Sequence, residues 1–349
     1  MVFLNILLLI LILGLLIFIH ELGHFIVAKK CHVHIYEFAL GMGPVILSKK
    51  GKDGIQYSLR LFPIGGFVQM AGEVSEDDKK VKKANFMCNR PWHQKILVLI
   101  AGVTMNFLLA LVLLFTISLI WGAVILKPVI NKVTPNYPVQ KAGIIAGDTV
   151  TYINDKKITN WEKAQLILAM KSANGEYKFT VKHKDGTTDN YKIKPKKVVD
   201  KEGNESRVFG IEIQAQKETG VLVSLKYAGT KFFTIVQTMT MVIIGLFTGN
   251  LSMNALAGPV GMYSVVGESA KLGLQSILYL IAFLSLNLGF MNILPFPAFD
   301  GGRVVFLIIE KIKGSPVNAK VENAFHVVGF ILLMILMLYI TFQDVIKLF

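Results

Sequence analysis

The chain has 349 residues, 53% of them hydrophobic, and a mean hydropathy of +0.54, which excludes a wholly soluble enzyme and describes a multi-pass membrane protein carrying some soluble mass. The formal charge of +14 does not point to nucleic acid, because the lysines are spread over loops beside apolar spans, where anionic lipid headgroups are the partner. Cys31 and Cys88 are the only cysteines, so no disulfide framework is expected.

The first span is read over 2–28, and the only strongly polar side chains between Val2 and Ala28 are Asn5, His20, Glu21 and His24. It is not expected to be a cleaved signal, since it lacks a basic start and runs too long. His20-Glu21-Leu22-Gly23-His24 places two imidazoles at i and i+4 on one helix face, where both can reach one zinc ion. Glu21 lies beside that position, placed to take a proton from water. A surface helix can carry this pattern harmlessly, but ionisable groups at membrane depth are costly unless they act. Gly23 lets another helix or a substrate backbone come close.

Cys31, His32 and His34 form a tight rival cluster, yet they follow Lys29 and Lys30 into a loop with no partner group and are read as solvated. Gln56–Phe62 alternates and runs into Pro63–Met70, a small hairpin with a glycine-rich apolar tip. Its edge near the histidines suits strand addition by an unwound substrate. The second span is read over 96–126, closing a first region of 1–126.

Residues 127–200 form an inserted α+β domain, with a helix at Trp161–Lys171 and turns at Asn174-Gly175 and Asp185-Gly186. Ala142–Asn154 resembles the central signature of PDZ domains, whose groove accepts peptide termini or ectodomain remnants. Residues 201–275 read as an exposed turn around Asp200–Glu205, strands leading back to the membrane, and an amphipathic helix over 232–249. Its threonines, Gln237 and methionines suit an interface as well as a span. Met239, Met241 and Met253 are read as adaptable apolar surface, not as ligands.

The last region, 276–349, holds spans over 276–299 and 324–343. Two prolines in Asn292–Arg303 must break the third span, and a broken helix at membrane depth is tolerated where it lines a cavity. Lysines and arginines at the span ends make the loops after the first and third spans cytoplasmic. The first span then brings His20 and His24 to its cytoplasmic side, about 30 Å from Met1. Asp300 meets them only if its span runs the same way, so four spans are expected, with 232–249 lying on the outer face. Asp300-Gly301 alone is an ordinary turn; joined to this parity, Asp300 becomes the third ligand of a His2Asp zinc site. Asn292 either donates to the scissile carbonyl or satisfies carbonyls freed by the prolines. His93, His183 and His326 stand singly and are not read as ligands.

Taken in order, His20–His24, Leu40–Pro44, Phe62–Glu73, Ala101-Gly102 with Asn106, the PDZ signature, Gly258–Gly261 and Asn292–Gly302 resemble the site-2 protease family of intramembrane zinc metalloproteases, close to its bacterial RIP members. Val103 and Phe299 depart from that pattern where proline and leucine are usual. The resemblance implies Zn2+ held by His20, His24 and Asp300, Glu21 as catalytic acid and base, and Asn292 in support. It also implies a bacterial plasma-membrane enzyme with its PDZ domain outside and its active site toward the cytoplasm. Its substrates would be single-span proteins already shortened by another protease, such as anti-sigma factors or remnant signal peptides. A metal transporter is the alternative, against which stand the absence of an inverted repeat and the glutamate beside the metal. A silent PDZ scaffold is opposed by the intact Glu21.

Overall fold

In the computed structural model residues 2–73, 81–169, 175–199, 205–249 and 258–346 are described. In chain order the elements are α1 (Val2–Lys30), β1 (Ile35–Lys50), β2 (Gln56–Met70), α2 (Trp92–Trp121), β3 (Ala123–Val133), α3 (Pro138–Lys141), β4 (Thr149–Ile153), β5 (Lys156–Lys157) and α4 (Trp161–Ala169). Then come β6 (Tyr177–Lys182), β7 (Thr188–Ile193), β8 (Lys196–Val199), β9 (Glu205–Val208), β10 (Ile211–Glu218), α5 (Val221–Phe247), α6 (Pro259–Leu272), α7 (Leu274–Ile293), α8 (Asp300–Lys313) and α9 (Ala319–Ile346). They divide into two compact units, Met1–Leu114 with Leu256–Phe349, and Phe115–Ala255.

In the first unit α1 buries Ile12, Leu16, His20, Gly23, His24 and Ala28, a single stripe at helical spacing that carries the metal motif on its inner face. Ile12 and Leu16 pack with Val266 of α6 and Leu280, Ile281 and Leu284 of α7. Farther along α1, Phe18 and Phe25 meet Phe38 of β1 edge-on at 5.9 and 5.1 Å.

β1 and β2 are longer and more folded than the hairpin expected within 56–70. Residues 66–70 pair with 35–40, residues 56–59 pair with the other side of 37–40, and 45–50 pair with 56–60. Both chains double back, at positive-φ Gly41, Gly43 and Gly65, so 56–62 and 66–70 flank β1 rather than each other. Buried Glu37 pins this arrangement: Arg60 donates to both its oxygens at 2.8 and 3.0 Å and to Gly43 O at 2.9 Å, and Ser58 donates to it as well. Short-range alternation could not reveal a pairing that depends on an ion pair 23 residues apart.

The second unit contains a six-stranded sheet in the order β10-β3-β4-β6-β7 with β5 beside β4, all antiparallel. Its core holds Ile130, Val150, Ile153, Phe179 and Val181 from strands against Trp161, Ala164 and Ile167 from α4. Full burial of a side chain like Phe179 is worth roughly 1.5–3 kcal/mol. The Asp185-Gly186 turn joins β6 and β7, with Asp185 Oδ1 accepting from Thr187 N at 2.9 Å. Asn174, Asp200–Asn204 and Met253 lie outside the described residues.

Three boundaries differ from expectation. The second span ends at Trp121, because Gly122 takes φ +82° and the β-branched run after it joins the sheet. β10 also belongs to that sheet, so the inserted fold reaches Glu218 rather than ending at 200. Helix α5 begins at Val221, eleven residues before 232, with Gly220 at φ +125° as its break; the segment just before 232 is therefore helix and not strand. Small Ser224, Ala228 and Gly245 lie on its buried face, while Leu222, Phe233 and Phe247 are exposed. Among the described residues five helices are long and apolar enough to cross a membrane, α5 being the least apolar of them.

Candidate metal centre

His20 and His24 are both buried, and their Nε2 atoms lie 3.2 Å apart. Asp300 Oδ2 sits 3.0 Å from His20 Nε2 and 3.3 Å from His24 Nε2. Tetrahedral zinc with bonds of about 2.0–2.1 Å has ligand edges of about 3.3 Å, so the three atoms outline one face of such a tetrahedron and fit the ion. This is the sole cluster of metal-ligating side chains among the described residues.

The local sequence explains how Asp300 arrives there. Pro295 and Pro297 end α7 at Ile293, and α8 restarts at Asp300, its first residue. A Cβ on Gly301 would collide with Leu294 O and Ile293 O and stand 2.6 Å from Ile293 C; one on Gly302 would come 2.5 Å from Phe296 O. The two glycines therefore let the new helix start against the broken end of the old one. Ala298, at φ +77°, donates its amide to His326 Nδ1 of α9 at 3.1 Å, and Arg303 binds Glu73 Oε1 at 2.6 Å in the turn just after β2.

Helix α2 closes the other side. Gly23 faces Ala101 and Gly102, with room for no Cβ on Gly23: Ala101 O and Ala101 C, the latter at 2.7 Å, already fill the place. Of the two uses foreseen for Gly23, close approach of another helix is the one observed. A Cβ on Gly102 would collide with His24 Nε2 and lie 2.7 Å from His20 Cε1. His24 Nδ1 donates to Val98 O at 2.8 Å, which leaves Nε2 as its lone-pair nitrogen.

The sequence profile of Peptidase family M50 matches residues 8–336. The chain belongs to peptidase family M50. A protein of Clostridium acetobutylicum that bears a zinc-metalloprotease name is 36% identical over 348 residues, 99% of this chain and 98% of its own. The zinc metalloprotease RasP of Bacillus licheniformis is 32% identical and the regulator of sigma-W protease RasP of Bacillus subtilis 31%, each with 97% of this chain and 98% of the relative covered. This M50 chain is accordingly an intramembrane zinc metalloprotease.

Within this M50 site the structure brings together His20, Glu21, His24 and Asp300, as the motifs implied. Glu21 is half-buried beside the histidines, and a Cβ on Gly66 of β2 would lie 3.2 Å from its Cγ. Asn292 is half-buried on the last turn of α7, and its amide makes no hydrogen bond to a described residue. Cys31, His32 and His34 do not assemble; the His34 ring packs on Tyr36 at 4.9 Å. Two supports of the histidines were not legible as such. Val98 acts through its backbone, which no side chain announces, and Gly102 reads like any small residue in an apolar span.

Proposed function

We propose that His20, His24 and Asp300 hold the zinc, that Glu21 is the general acid and base, and that the bond cut lies in the transmembrane segment of a single-span membrane protein. The observation that carries this reading is the triangle made by two buried histidines and the half-buried Asp300, with edges of 3.0 to 3.3 Å beside Glu21. Zinc bound there supplies a Lewis acid for the scissile carbonyl and acidifies water. Glu21 takes the water's proton and returns it to the leaving amine, and no hydrogen bond to a described residue engages its carboxylate beforehand. Asn292 donates to the oxyanion from the end of α7. The edge strand 66–70, close against Glu21 at Gly66, adds an unwound substrate by backbone bonds, since a helix hides its carbonyls in internal ones. The β3–β10 sheet with α4 serves as a PDZ domain that receives peptide termini or ectodomain remnants. A relative named for regulating sigma-W supports anti-sigma factors, shortened beforehand by another protease, as one substrate class. Incubating the purified protein with single-span candidates, with and without a chelator, tests the reading: cleavage that survives zinc removal refutes it.

The same reading gives four crossings in a bacterial plasma membrane, with α5 on the outer face and the metal toward the cytoplasm. What supports it lies within the first unit. His20, His24 and Asp300 lie toward the C-terminal ends of α1 and α7, and α2 runs the other way, with Val98 beside His24 and with Leu109 and Leu113 packed against the cluster that holds Ile12 and Leu16. At the end away from the metal, Gly267 of α6 adjoins Asn5, and Gly258 and Gly261 donate to Asp344 at the close of α9 at 2.7 and 2.8 Å. These placements support an even number of crossings between α2 and α6, and with it the reading of α5 as lying on the outer face. In a background lacking Cys31 and Cys88, cysteines at Lys194 and Ile346 should label in intact cells, and cysteines at Lys52 and Lys313 only after the membrane is opened. Labelling of position 313 from outside would overturn this topology.

A further inference from the structure

We propose that Asn106 is the positioning residue for His20, its side-chain carbonyl accepting the proton of His20 Nδ1 so that Nε2 is kept as the lone-pair nitrogen facing the metal. The inference deepens the ligand set proposed above and rests on it. Asn106 is fully buried in α2, with Nδ2 3.2 Å from His20 Nδ1 and with Oδ1 lacking any partner among the described residues. A neutral imidazole that offers Nε2 to a metal carries its proton on Nδ1. Two donors would then face each other across 3.2 Å. The oxygen and nitrogen of a side-chain amide are alike in shape, and their assignment follows from the bonds they can make. Exchanging them turns the donor–donor contact into an Nδ1–H to Oδ1 bond. One end of the amide lacks a described partner in either orientation, so His20 decides between them.

The rest of α2 agrees. Val98, Gly102 and Asn106 follow one another at four-residue steps along one helix face. The first offers a carbonyl to His24 at 2.8 Å, the second leaves the space the two rings fill, and the third reaches His20. Because α1 and α2 are antiparallel, the later histidine meets the earlier residue. Each imidazole therefore has one oxygen acceptor on α2. Ser285 Oγ of α7 donates to Asn106 O at 2.8 Å and holds this turn against the helix whose broken end leads to Asp300. A buried polar side chain in an otherwise apolar span is costly unless it is used.

Two substitutions separate this role from packing. Asn106→Leu keeps the size and removes the acceptor; Asn106→Asp keeps an oxygen acceptor and removes the amide donor. Zinc affinity of the full chain in detergent, read by competition with a chromogenic chelator, should fall about 10- to 100-fold in Asn106→Leu and stay at or above the wild-type value in Asn106→Asp. Thermal unfolding of the zinc-free forms is read alongside, and if Asn106→Leu does not fold, Asn106→Ala takes its place. Rescue by aspartate is the result a packing role would not give. Wild-type affinity in Asn106→Leu, or equal losses in the leucine and aspartate variants, overturns the proposal while leaving the ligand set intact if His20→Ala still loses zinc. Retention of zinc by His20→Ala would overturn the ligand set and this inference with it.

Discussion

Gly102→Ala is the sharpest test of how the centre is built, because it adds one methyl group and nothing else. On helix propensity alone alanine should favour α2 by about 1 kcal/mol over glycine. The new Cβ, however, would collide with His24 Nε2 and stand 2.7 Å from His20 Cε1 and 2.9 Å from His20 Nδ1, while ordinary carbon contacts begin at about 3.5 Å. At least one ring must move by the better part of an ångström, against a tolerance of about 0.2 Å in a metal–ligand distance. A displacement of that size at a reacting centre costs on the order of 100-fold in rate. We expect zinc affinity to drop and cleavage of a membrane-embedded substrate to fall at least that far, with the purified variant melting no lower than the zinc-free wild type. Metal analysis and a single-turnover cleavage assay give both quantities. Wild-type zinc content together with wild-type turnover would refute the claim that α2 packs directly on the two histidine rings.

Glu21→Gln should keep zinc content near wild type and abolish cleavage, since it removes the proton acceptor and no ligand; comparable cutting by the variant would show that Glu21 is not the base. Asp300→Ala should lower zinc occupancy as well as activity, and full occupancy with normal activity would return Asp300 to the role of a helix-starting residue. Away from the membrane, His183 lies 3.0 Å from buried Asp148, and that bond, with Asp189 and Asp185 nearby, raises its pKa above the ordinary value. A raised folded pKa stabilises the sheet fully below the unfolded pKa of about 6.5 and loses that contribution as pH climbs through the folded one. Hydrogen exchange in β6 and β7 should therefore quicken as pH rises past neutrality, after correction for intrinsic rates, and His183→Gln should flatten the trend; an unchanged trend in the variant would exclude His183 as its source.

What could be read from the sequence was what is local or set by geometry over a short stretch. The i and i+4 histidines could be read as a pair able to meet one metal ion because a helix puts them on one face whatever surrounds it. Asp300 required one further step, the direction of its span, and the prolines made the break visible. The folded-back pairing of β1 and β2 was hidden because its determinants, Glu37, Arg60 and Gly43, meet only after two long strands have doubled back. Helix α5 was begun late because Val221–Lys231 mixes lysines and small residues, and the apolar positions that reveal its period face outward. Val98 O illustrates the limit best: a backbone carbonyl has no letter of its own, yet it orients the His24 ring.

A break in a membrane helix is expensive because it frees carbonyls where no water can satisfy them. Here the break after Ile293 is put to several uses within ten residues. The carbonyls at the break lie against Gly301 and Gly302, those of Leu294 and Phe296 accepting from Phe296 N and Phe299 N, so the next helix can start at once with Asp300 as its first residue. The restarted helix carries Arg303, which reaches Glu73 in the turn that follows the strand passing Glu21. Asp300, the helix start and the link to the strand beside Glu21 therefore share one irregular segment. A change that repaired the helix, replacing both prolines as Pro295→Leu with Pro297→Leu, would supply better hydrogen bonding and still be expected to disperse the centre. A continuous helix would carry residue 300 about 9 Å along the axis beyond Leu294, six residues at about 1.5 Å each, instead of folding it back onto the histidines. Zinc content that survived such a repair would show that Asp300 reaches the metal without the break.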